Sequence, residues 1–397
     1  MQILDPSAPR GPAWLRLGFR PFFLAAGAFA VIAMLVWFTA YAGGQSLPFA
    51  GLGAVSWHGH EMIFGYGMAV VTGFLLTAVR NWTGIPTLRG APLLALLVFW
   101  LLARVLLLLG DARLLAAAAS FDLLFGALLV AAIGVPIVRK RLWSNLAIVG
   151  KIVLLVVSNL VFYLGVAGTL EQGVYWGLYS GLYLLVALIF TLSRRVLPFF
   201  IERAVDAKIQ LYNNKWVDIA SLVLFLAFWI AELVRPNGPA VAALAGLLFV
   251  LHLVRLLGWY NVGIWSRPLL WILYLAYAAM VAGFALKTGV YLFGLSPFLA
   301  LHAFAVGGIG MMTLGMMTRV ALGHTGRDVF DPPPVLKLVF ALLLAAALVR
   351  VVLPLLAEAH YVVWVGLSQW LWIGAFLVYF LVYFPILTRP RIDGQDG

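Results

Sequence analysis

Cysteine is absent from all 397 residues. Its absence excludes disulfides, thiolate metal sites, iron–sulfur clusters and c-type haem attachment. Any metal must then be held by His, Met, Tyr, a carboxylate or a backbone oxygen. Charge is also scarce. Asp, Glu, Lys and Arg make up 10% of the chain, where a soluble domain carries about 25%. Acidic side chains are the scarcest, 14 against 26 Lys and Arg, for a net charge of +12. No basic block is long enough to track a phosphate backbone, and no soluble segment could present one, which argues against a nucleic-acid partner.

What remains is apolar: 64% of residues are hydrophobic. The apolar runs are helix-length rather than barrel-length, and a helix satisfies every backbone group inside lipid. The expectation is an all-α polytopic membrane protein, one transmembrane domain over 1–397. Spans of about 20 residues are placed at 22–41, 57–79, 91–109, 114–138, 146–168, 173–192, 216–234, 240–258, 269–288, 297–318, 335–357 and 362–386. The first run is too long for a signal-peptide core and reads as a retained span. The connector 193–215 is long and amphipathic and divides the spans six and six, with no convincing repeat between the halves.

Basic residues fall in alternate connectors. Arg10, Arg16 and Arg20 precede the first span, Arg80 and Arg89 follow the second, and Arg139, Lys140 and Arg141 follow the fourth. Arg194, Arg195, Arg203, Lys208 and Lys215 follow the sixth, Arg267 the eighth, Arg319 and Arg327 the tenth, and Arg389 and Arg391 close the chain. By the positive-inside rule both termini are cytoplasmic, which agrees with an even number of spans.

That orientation puts His58, His60 and Glu61 of WHGHEMIFGYG at the outer end of the second span, and His302 at a similar depth in the tenth. His58 and His60 differ by about 200° on a helix and point to nearly opposite faces. The motif therefore serves two neighbouring sites, or one site with Glu61 orienting a ligand. The plainer alternative is an interfacial helix cap. An HxHE motif level with another histidine favours a metal or cofactor site. His302 and His324 share a face but stand about 33 Å apart along a helix, so they cannot share one ion. Met316 and Met317 lie near that face, as soft ligands or as ordinary core. His252 and Arg255 share a face of the eighth span, compatible with an iron ligand beside a propionate partner. Arg104 and Arg350, in outer halves of spans, also need anionic partners, with Asp111, Asp122 and Glu232 as the alternatives to haem propionates. The glycines around both motifs fit close helix packing as well as they fit a flat cofactor.

Two blocks, WHGHEMIFGYGMAVVTGFLLTAVRNWTG (57–84) and HAFAVGGIGMMTLGMMTRVALGHTGR (302–327), with LGFRPFFL (17–24), resemble the NnrS family of bacterial membrane proteins. The likeness is colinear along the chain; Thr318-Arg319 stands where Ser-Arg is expected. It implies a multi-pass inner-membrane protein that holds b-type haem and copper and acts in nitric oxide metabolism or nitrosative-stress defence, with an electron donor still to be found. The family's motif histidines map onto His58, His60, His302 and His324. On this reading His58, His60 and His302 build an outer site, and His252 with His324 contributes to an inner one. Glu61 orients a ligand or handles protons, and Arg104, Arg255 and Arg350 meet propionates. The competing expectations are a secondary transporter of a metal or small anion, and a nitric oxide sensor without turnover.

Overall fold

The structure is a computed structural model, and it describes residues 11–47, 49–205 and 209–395. Arg10 and Lys208, counted above among the cytoplasmic basic residues, lie outside them. Among the described residues twelve helices are long and apolar enough to cross a membrane. They are α1 (Phe19–Tyr41), α2 (Ala54–Thr83), α3 (Ala91–Leu108), α4 (Ala112–Arg139), α5 (Trp143–Val166) and α6 (Gly173–Ala204). The second six are α7 (Lys215–Val234), α8 (Pro239–Gly258), α9 (Pro268–Phe293), α10 (Pro297–His324), α11 (Leu336–Leu356) and α12 (Glu358–Thr388). No strand occurs among the described residues. This is the expected all-α, multi-pass architecture. Outer and inner below denote the two faces that the basic residues assign.

Local chemistry sets the helix ends. Proline opens α3, α8, α9 and α10 within their first two positions, where its missing N–H costs nothing. Gly84 and Gly294 end α2 and α9 in the left-handed conformation, at φ +68° and +67°, which a side chain would oppose. Several helices run past their expected ends, α6 the furthest. α6 does not stop near 192 but continues through SRRVLPFFIERA to Ala204. Leu197 and Ile201 stay buried on one face of that extension, while Arg195 reaches Asn145 at 2.7 Å. An amphipathic stretch with one apolar face remains a helix after the lipid ends.

The N-terminal signature LGFRPFFL ties the two ends of the chain together. Arg20, fully buried, donates through Nη1 to the carbonyls of Ile386, Leu387 and Arg389 at 3.4, 2.9 and 2.8 Å. These are orphan carbonyls at the C-terminus of α12, and a guanidinium there also meets the negative end of the helix dipole.

The helices divide into a core pair and a lipid-facing ring. In the most apolar stretch of α2, 78% of residues are buried, and in α10, 72%, against 22% in α7. Both motif-bearing helices are therefore central. The glycines around the motifs meet neighbouring helices. A Cβ on Gly308 would sit 2.4 Å from Met280 Cγ, and one on Gly67 would sit 2.8 Å from Leu185 Cδ1. Close packing accounts for both.

Candidate functional site: an outer cavity between the central helices

His58 and His302 line one cavity of about 260 Å³ in the outer half of the bundle, walled by α1, α2, α6, α10, α11 and α12. Its walls are mainly aromatic and aliphatic, and none of its lining residues is an Asp or Glu. Several of the polar atoms that line it have no partner. His58 Nδ1, Arg350 Nη1 and both amide atoms of Gln369 are buried with no hydrogen-bond partner among the described residues. A buried polar atom left unpaired is costly, and here four of them converge on one space.

Each histidine is held in a definite pose. The His302 Nδ1–H donates to the Phe298 carbonyl, 2.7 Å away. A carbonyl can only accept, so the proton is on Nδ1 and the bare nitrogen is Nε2. This is how ligating histidines are commonly fixed, with one ring nitrogen tied to a backbone oxygen and the other left basic. The His58 ring lies flat on Trp37, with centroids 4.4 Å apart and planes 7° apart, and Trp37 stacks in turn on Tyr41. Arg350 donates from Nη2 to the Tyr361 hydroxyl at 2.9 Å. No carboxylate pairs with Arg350 among the described residues.

His60 is not part of this cavity. The α-helical turn Ala54–His60 directs it away from His58, into a buried cluster between α2, α3, α4 and α5. Its Nδ1 lies 2.9 Å from Glu61 Oε1, and its Nε2 lies 2.9 Å from Asn159 Oδ1. Asn159 Nδ2 donates to Asp122 Oδ2 at 3.0 Å, which fixes the amide orientation. Both nitrogens of His60 are engaged, and neither is free to meet an ion. Arg104 bridges the two carboxylates, Nη1 to Glu61 Oε1 and Nη2 to Asp122 Oδ2, each at 2.5 Å. The second of these is an ion pair without an aligned hydrogen bond. The expected outer trio is thus divided: His58 and His302 come together, and His60 with Glu61 does not join them.

The remaining expectations separate in the same way. Arg104 has Glu61 and Asp122, and Arg255 has Asp218 at 2.7 Å and the Tyr277 hydroxyl at 3.3 Å. Neither is left for a propionate. Asp111 pairs with Arg113, and Glu232 with Lys287. Arg350 alone of the three arginines faces the cavity. His252 sits between the rings of Phe190 and Phe284, 4.1 and 5.6 Å away, with Nδ1 on the Tyr277 hydroxyl. His324 packs by Phe19 at the opposite end of α10 from His302. Among the described residues no contact joins His252 to His324, so the expected inner pair is not assembled. Met316 and Met317 do not reach the outer cavity; Met34 and Met62 line it instead.

Two features were not anticipated. The helix is π-wound over Glu61–Gly67 and again over Ala303–Gly310, each starting directly after a motif histidine. π-turns cluster at functional positions. The only trace in the sequence is the density of glycine in both segments. Gln369 was also missed. It stands with Ser368 as an isolated polar pair in a long apolar run, a signal that could have found it.

No curated protein matches the chain. A family model described as NnrS protein matches residues 13–391, nearly the whole length, and the chain belongs to that family.

Proposed function

We propose that this protein, a nitric oxide-related multi-pass membrane protein by family, binds haem b in the outer cavity and takes up nitric oxide there, in the inner membrane of a bacterium. One observation carries the reading: a histidine with its Nδ1 tied to a backbone carbonyl shares a carboxylate-free cavity with a guanidinium whose Nη1 has no partner among the described residues. The residues fit the group in kind. His302, with its bare Nε2, would hold the iron, and His58 brings a second imidazole to the same space. Arg350 offers the unpaired Nη1 that a propionate would satisfy. The aromatic and aliphatic walls suit the porphyrin face and exclude water. When bound, the haem supplies an iron centre that takes nitric oxide. Trp37 keeps the His58 ring in plane, and Tyr361 holds the Arg350 fork.

Copper fits less well. Among the described residues no three His, Cys, Asp or Glu side chains form a group able to hold a metal, and no step is assigned to copper. The unpaired Arg350 also suits a carrier of small anions, the second reading. Optical spectra of the purified protein decide between them. The haem reading expects a Soret band that shifts when nitric oxide is added to the reduced protein, and that is lost in His302→Ala. A colourless protein that moves nitrite across proteoliposomes would select the carrier.

A further inference from the structure

A second, smaller cavity lies directly inward of the first. It measures about 60 Å³ and is lined by α1, α2, α6 and α10. Leu185 and Ile309 line both cavities. At their junction the Tyr66 hydroxyl, on the outer cavity, lies 2.7 Å from Thr313 Oγ1, on the inner one. Thr313 gives its own proton to the Ile309 carbonyl at 2.6 Å, so Tyr66 is the donor of this bond and both hydroxyls are satisfied. Ser193 is then the only other hydroxyl on the inner wall. A space of this size with so few polar partners does not hold water well.

The same cavity reaches the side of the bundle. Phe74, Leu192 and Met316 on its lining are only partly buried, on stretches of α2, α6 and α10 that fall within the expected spans. We infer that the inner cavity is a lateral route by which a small uncharged diatomic passes from the bilayer, between Leu185 and Ile309, to the His58–His302 cavity. Such a molecule needs no hydrogen bonds and dissolves in hydrocarbon, whereas ions and water find few partners along this wall. The inference rests on the outer cavity being the receptor site.

The test is the rate of nitric oxide association with the reduced native protein, followed by stopped-flow absorbance with and without xenon pressure, with nitrogen pressure as the control. Xenon should occupy the inner cavity and slow association. Leu192→Trp and Met316→Trp, which fill the lateral end and touch neither histidine, should slow it by about tenfold, about 1.4 kcal/mol of added barrier, with the Soret spectrum unchanged. If neither variant folds, the xenon measurement on the native protein decides. Association that is indifferent to xenon overturns the route, including the case in which a lipid tail fills the cavity permanently. A native protein with no spectral response to nitric oxide would instead remove the reading of the outer cavity itself.

Discussion

Replacing Arg104 with methionine should unfold this protein more readily than almost any other single change in α3. The guanidinium is 3% exposed and bridges Glu61 and Asp122, each 1% exposed in its side chain. Removing it leaves two buried carboxylates facing each other, with His60, Asn159 and Tyr163 as their remaining partners. Breaking a buried ion pair from one side costs about 3–5 kcal/mol, because the stranded charge keeps its desolvation penalty. Removing all the charge together is different. The triple variant Arg104→Met, Glu61→Gln, Asp122→Asn strands no ion and should recover most of the loss, since neutral replacements of buried ion clusters are often close to isoenergetic. Thermal unfolding in detergent, read by loss of the monodisperse peak, compares the three proteins. Arg104→Met as stable as the native protein would refute the argument, and so would a triple variant no better than the single one. The first result would mean that water or lipid headgroups already reach the cluster.

Other perturbations separate the cavity from its surroundings. Arg350→Ala should weaken haem retention by roughly tenfold or more, since a charge-assisted hydrogen bond contributes about 1.5–3 kcal/mol; Arg350→Lys should fall between, and haem titration of the apoprotein measures both. His252→Ala should cost about 2–4 kcal/mol of stability, as truncation of a packed ring does, and leave the Soret band intact; loss of Soret amplitude would place iron at His252. At the inner surface Asp393 is held at about 2 by its hydrogen bonds from Arg391. Its folded value is depressed, so its contribution is present above the ordinary carboxylate value, 3.8, and fades as pH falls toward 2. Hydrogen exchange of residues 389–395 should therefore be flat from neutral pH to about 5, once corrected for intrinsic rates, and rise only below that.

The spans were legible because lipid imposes a simple rule: an apolar run of sufficient length has few other solutions. The largest boundary difference, at the end of α6, fell where that rule stops. Residues 193–204 carry three arginines, and hydropathy cannot see that Leu197 and Ile201 still share a buried face. At the site, the pairing of His58 with His302 followed from depth alone, and the divergence of His60 from the angle between alternate residues of an α-helix. What no linear pattern contains is lateral order. That α3 and α4 would deliver Arg104 and Asp122 to Glu61, leaving Arg350 as the unpaired arginine at the cavity, depends on which helices are neighbours. The π-wound segments after His60 and His302 were equally out of reach, since phase angles taken at 3.6 residues per turn no longer apply through them.

The turn Trp57–Glu61 shows why burial of charge is by itself a poor guide to a ligand site. Towards α3, α4 and α5 it presents His60 and Glu61, and each finds partners in the fold: two cations or potential cations, two carboxylates, an amide and a hydroxyl. Such a cluster fixes the helices relative to one another, and its charges are compensated within the fold. Towards α10, α11 and α12 the same turn presents His58 to a space where Arg350 Nη1 and both amide atoms of Gln369 have no partner among the described residues. A molecule with both an apolar body and an acceptor group is the ligand that such a space suits. The quantity that separates the two sides is charge left without a counter-charge after folding. By that measure the space shared by His58, His302 and Arg350, rather than the cluster of His60, Glu61 and Arg104, is the candidate binding site.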